Sequence, residues 1–271
     1  MRVPREALPL SVLAITLPLL AMFLVWALHL RLRDAGIVDV AFAGLIGLLA
    51  LLDALFASGW AVRRTFLAVM ACFWSARLVS HLYLRLKGKP EEGRYQQLRK
   101  EWGEAGHDVN RRFLGFFLLQ GGLVALFSLP FLLSSLDGTP RISPLEVLGI
   151  AVWFVALCGE SVADAQLNRW KADPANRGKT CRLGLWNYSR HPNYFFEWLV
   201  WCGYALYALA APYGYLALVC PALMLFFLLR VTGIPATEAQ ALRTRGDDYR
   251  AYQRTTSAFV PWFKKPKPAT A

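Results

Sequence analysis

The stretch NYSRHPNYFFEW, residues 187–198, sets six polar or ionisable side chains directly against an apolar run that continues to residue 210. Pro192 suits the first turn of a helix, where its missing N–H leaves nothing unsatisfied, so a helix is expected to start there. From 193 to 210 that helix would cover about 27 Å, close to the hydrocarbon thickness of a bilayer. The same reading applied outward gives spans near 8–30, 36–57, 62–84, 113–134, 144–164, 193–210 and 213–232. With 56% hydrophobic residues over 271 positions, the chain is too apolar for an ordinary soluble domain. The expected fold is all-α, a polytopic membrane bundle of about seven transmembrane helices.

The formal charge of +12 raises the question of nucleic acid, and its distribution answers it. Of the 30 Lys and Arg residues, 24 fall in alternate segments: 31–34, 85–112, 165–192 and 230–271. That asymmetry is the positive-inside pattern, with the N-terminus outside and the C-terminus cytoplasmic, and it needs no nucleic acid. The first apolar segment is too long for a signal-peptide core and is read as a retained span. Five cysteines, odd in number and without C-x-x-C spacing, argue against disulfides and zinc, and the scattered histidines argue against a metal site. Residues 1–263 are expected to form one membrane domain. The tail 264–271 is basic and proline-containing, expected to be disordered or to rest on anionic headgroups. Glu92 to Glu104 reads as an amphipathic surface helix.

An ionisable side chain within a span is a functional candidate by default. Asp39, Asp53, Arg77, Glu160, Asp164 and Glu197 qualify. Asp53 lies near an external span end, where contact with water explains it, and Asp39 with Arg77 forms a plausible structural ion pair. Glu160 and Asp164 share a helix face, against mutual repulsion and the negative end of the helix dipole. Asn168 continues that face, and Arg169 and Lys171 follow. Carboxylates accept from ribose hydroxyls while Lys and Arg meet phosphate, so the cluster suits a nucleotide. Arg190 beside the unsatisfied N–H groups of the helix starting at Pro192 would take an anion. Asn193 and Glu197, four apart, would meet a neutral polar group such as a carboxamide one turn deeper. No G-x-G-x-x-G, P-loop or H-E-x-x-H pattern is present.

NYSRHPNYFFEW, with ESVADAQLNRWK at 160–171 and RVTGIPATEAQALRTRGDDYRAYQRTTSAFVPWF at 230–263, resembles the C-terminal domain of the steroid 5α-reductase family, especially its bacterial members. The R-H-P-x-Y…E part is shared with isoprenylcysteine carboxyl methyltransferases. The resemblance is good over about 145–263 and weak before that. It implies a seven-span enzyme with NADPH in a cytoplasm-facing cavity, and places Glu160, Asp164, Lys171, Lys179, Asn193 and Glu197 on cofactor-contacting positions. Arg230 and Glu238 fall where the family closes over the cofactor. The family's substrate-activating acid and tyrosine map to Asp39 and to Trp74; indole can donate a hydrogen bond but cannot release a proton, which leaves Tyr83 or water to supply one.

The expected function is therefore NADPH-dependent reduction of the C=C bond of an α,β-unsaturated ketone, most readily a 3-oxo-Δ4 steroid, in a bacterial inner membrane. The alternatives are an S-adenosylmethionine-dependent methyltransferase using Arg190, His191, Pro192, Tyr194 and Glu238, and a non-enzymatic transporter or lipid-binding protein. No obligate protein partner is indicated.

Overall fold

The computed structural model describes residues 5–264, so all but the first residue of the expected 264–271 tail lies outside the described residues. Every named element among the described residues is helical. Among the described residues six helical segments are long and apolar enough to cross a membrane, one fewer than expected; the helix at Pro192–Ala208, of 17 residues, is not one of the six. The protein is a polytopic membrane helical bundle. It divides into two compact units, Met1–Ser143 with Ala208–Ala217, and Pro144–Tyr207 with Leu218–Ala271.

The first unit holds α1 (Ala7–Leu32), α2 (Ile37–Phe56), α3 (Ala61–Leu86), α4 (Gly93–Glu104), α5 (Val109–Phe127) and α6 (Leu129–Ser135). Small residues let α2 and α3 approach closely: Ser75 Oγ donates to the Ala43 carbonyl at 2.8 Å, across from Gly47. The expected span 113–134 is two helices, because Pro130 has no N–H for the ladder and Ser128 Oγ turns back to the Ala125 carbonyl. At the start of α3, Arg63 is buried against Asp137 at 2.7 Å and also donates to the carbonyls of Asp137 and Arg141. That guanidinium has enough partners to be tolerated away from water. Asp53 departs from expectation: it points inward and is buried rather than meeting water, with Oδ2 lacking a hydrogen-bond partner.

The second unit holds α7 (Pro144–Ala172), α8 (Pro192–Ala208), α9 (Val219–Phe226) and α10 (Ile234–Thr255). α8 starts at Pro192 as the proline rule requires. α7 and α8 meet backbone to backbone. A Cβ added at Gly149 would stand 2.7 Å from the Tyr207 nitrogen, and one at Gly203 2.8 Å from Trp153. Gly149→Ala is accordingly expected to lower stability by about 1–3 kcal/mol through overpacking, although alanine is the better helix former. Thermal unfolding in detergent checks this against Gly122→Ala, where a Cβ meets nothing within 4 Å.

The expected span 213–232 is not a single α-helix. It runs as a 3-10 turn (Gly214–Leu218), α9, and a π-helical turn (Phe227–Val231) in which Thr232 N donates to the Phe227 carbonyl at 3.0 Å. Such turns concentrate at functional sites. Beyond it, the polar α10 is bent at Gly246, whose φ of 51° and ψ of −122° exclude a side chain.

Candidate functional site

In the second unit one face of α7 carries Glu160, Asp164, Asn168 and Lys171, about 16 Å of helix from a buried carboxylate to an exposed lysine. The loop after α7 is pinned back onto that helix. Leu185 N donates to Gln166 Oε1 and Trp186 Nε1 to the Ala163 carbonyl, both at 2.9 Å. The α7 end itself is closed by Asp173, which accepts from Ala175 N, and by Asn176 Nδ2, which donates to the Trp170 carbonyl. Farther on, Asp248 of α10 accepts from Thr180 N at 2.8 Å and Arg182 Nη2 at 2.7 Å.

These ties enclose an open cleft of about 480 Å³ between the α7 end, the loop and α10. Its lining brings together four cations, Lys171, Arg177, Lys179 and Arg245. Trp170 also lines it, with a buried Nε1 that has no acceptor. Asp173 lines the cleft too, and its Oδ1 accepts from Ala175 N. Four cations around one cleft, with an unused N–H donor, form a setting for anionic oxygen. Lys171 and Lys179 were expected here; Arg177 and Arg245 were not. Arg177 is hidden in a turn that reads only as a loop former, and Arg245 reaches the cleft through the bend at Gly246.

At the mouth of α8, Asn193 Nδ2 lies 3.4 Å from Asp164 Oδ1, so the two residues singled out on separate helices meet. Glu197, one turn deeper, accepts from Trp201 Nε1 at 3.2 Å. Arg190 differs from expectation. Its Nε donates to Glu238 Oε1 at 2.6 Å and its Nη1 to the carbonyls of Gln253 and Thr256. Its donors hold the chain together instead of facing an anion. Glu238 likewise is a hub: it also receives His191 Nε2, Tyr249 OH and Gln253 Nε2. His191 is buried and stacked on Tyr194, and burial pulls its imidazole below the usual range, opposed by Glu238. It braces the loop. Arg230 is exposed on the π-helical turn.

In the first unit the three residues expected to activate substrate lie on two helices, Asp39 on α2 and Trp74 and Tyr83 on α3. Trp74 is buried on α3 beside Ser75, at the level of Ala43, about 6 Å along α2 from Asp39. Tyr83 is 53% exposed. Asp39 meets Arg94 and Tyr95 instead of Arg77: Arg94 Nη2 forms an ion pair with Asp39 Oδ2, and Tyr95 OH donates to the same oxygen at 2.9 Å. The Arg94 guanidinium also lies 4.6 Å from the Tyr95 ring centroid. Burial and the Asp39 charge raise the Tyr95 phenol well above its ordinary range, so it keeps its proton and remains a donor.

Fold and site thus define a polytopic helical membrane protein with an acid–amide pair and a cationic cleft in one unit. Residues 25–256 match the model of the family described as a protein of unknown function, DUF1295, and the chain belongs to that family. No curated protein and no solved structure matches it.

Proposed function

We propose that the chain is an NADPH-dependent reductase of the steroid 5α-reductase type, reducing the C=C bond of an α,β-unsaturated ketone. The observation that carries this reading is the continuous polar face of α7, joined to Asn193 at one end and opening into a four-cation cleft at the other. The residues fit a dinucleotide. Lys171, Lys179, Arg177 and Arg245 would hold its phosphates, the Trp170 Nε1 donor would find an acceptor, and Asp164, Asn168 and Glu160 would accept from ribose hydroxyls. Asn193 and Glu197 would hold the carboxamide. When bound, NADPH supplies the hydride that reaches the β-carbon of the enone.

The chain's own part is electrostatic. As negative charge grows on the ketone oxygen, hydrogen-bond donors would stabilise it, and Tyr83 or water would supply the proton to the α-carbon. An apolar substrate, such as a 3-oxo-Δ4 steroid, would enter from the bilayer. The basic loops favour a cytoplasm-facing site, in a bacterial inner membrane. The alternative is methyl transfer from S-adenosylmethionine, in which Arg190, His191 and Glu238, here engaged with one another, would serve.

Purified protein titrated with NADPH and with S-adenosylmethionine tests the proposal. Saturable NADPH binding, with absorbance loss on adding progesterone-like enones, is expected. Binding of S-adenosylmethionine alone would move the assignment to methyl transfer, and binding of neither would leave a transporter or lipid-binding protein.

A further inference from the structure

We infer that Tyr188, Trp262 and Phe263 form an aromatic anchor that seats the end of the chain in the anionic lipid interface. After α10 the chain is tied back to the segment before α8. Arg190 N donates to the Ser257 carbonyl at 2.8 Å, Ser189 Oγ to the Phe259 carbonyl at 2.7 Å, and Trp262 N to the Tyr188 carbonyl at 3.0 Å. Phe259 turns inward and packs on Phe195 and Trp198 of α8. The other large side chains turn outward: Trp262 is 66% exposed and Phe263 77%. Tyr188 and Trp262 both contact Phe263 edge-on, so the three rings make one ridge.

A ridge of three rings is too small for a stable protein interface, which covers about 800 Å² on each partner. Its position favours lipid. Tyr188 lies four residues before α8 begins, so the ridge is continuous with the surface that enters the membrane. Lys264 follows it, and the sequence adds Lys265 and Lys267 with no large apolar residue among them. Aromatic rings flanked by lysines suit the headgroup level of a leaflet bearing negative charge. The segment that carries the ridge also fixes Ser189 and Arg190, so membrane contact steadies the mouth of α8.

The test uses the full chain in phosphatidylcholine–phosphatidylglycerol vesicles, with the photo-crosslinker benzoylphenylalanine placed at position 263 or at the exposed position 243 of α10. Several-fold more lipid adduct at 263 than at 243 is expected. Equal adduct, or adducts to a second protein chain, overturns the inference. A second measurement does not depend on that variant folding: lipids brominated near the headgroup should quench wild-type fluorescence more than that of Trp262→Phe. Identical quenching overturns it as well.

Discussion

Asp164→Ala is expected to lower NADPH affinity by about 10–100-fold, the loss of hydrogen bonds to a charged group at about 1.5–3 kcal/mol. The protein should remain folded, since alanine is the best helix former and Asp164 sits within the long α7. Asn193→Ala should act in the same direction. Because Asn193 and Asp164 touch, the double variant should lose less than the two single losses combined. Titration calorimetry on the purified protein measures all three. Unchanged affinity in Asp164→Ala would remove the nucleotide from this face of α7.

Tyr95→Phe is expected to lower the stability of the protein by about 1–3 kcal/mol, since the buried phenol gives its one proton to Asp39 Oδ2 and phenylalanine leaves that oxygen a partner short. Tyr83→Phe, at an exposed position, should leave stability unchanged. Thermal unfolding in detergent separates the three proteins. If Tyr95→Phe melted with the wild type, the Asp39–Tyr95 bond would contribute nothing to the fold.

What the sequence reveals follows how local each cause is. The start of α8 depends on Pro192 alone, and α4 on the periodicity of a dozen residues, so both were readable to within a residue. The stripe on α7 is set by helical spacing within one element. The pairing of Asp39 was not readable, since Arg94 and Tyr95 lie 55 and 56 residues away and Arg77 is nearer in the sequence. The partners of Arg190 were not readable for a similar reason: three acceptors reach it from α10 and the residue after it, 48 to 66 positions later. Asp53 was assigned to water by its depth in the span, whereas the facing of a side chain depends on which neighbours α2 acquires. Such partners come from tertiary contact and leave no spacing signal.

The hub at Glu238 also orders events during synthesis. Arg190 and His191 need Glu238 and Gln253, and Tyr252 OH donates to the carbonyl of Ser189 at 3.0 Å. These partners are translated after α8, and the last of them follows Arg190 by 63 residues. At about 5–20 residues per second the ribosome reaches Gln253 some 3–13 s after Arg190. During that interval α8 can be inserted, yet Arg190 and His191 have none of their partners on α10. The mouth of α8 is therefore among the last parts of the second unit to mature, and a chain cut short before residue 238 would carry α8 with Arg190 and His191 lacking these partners.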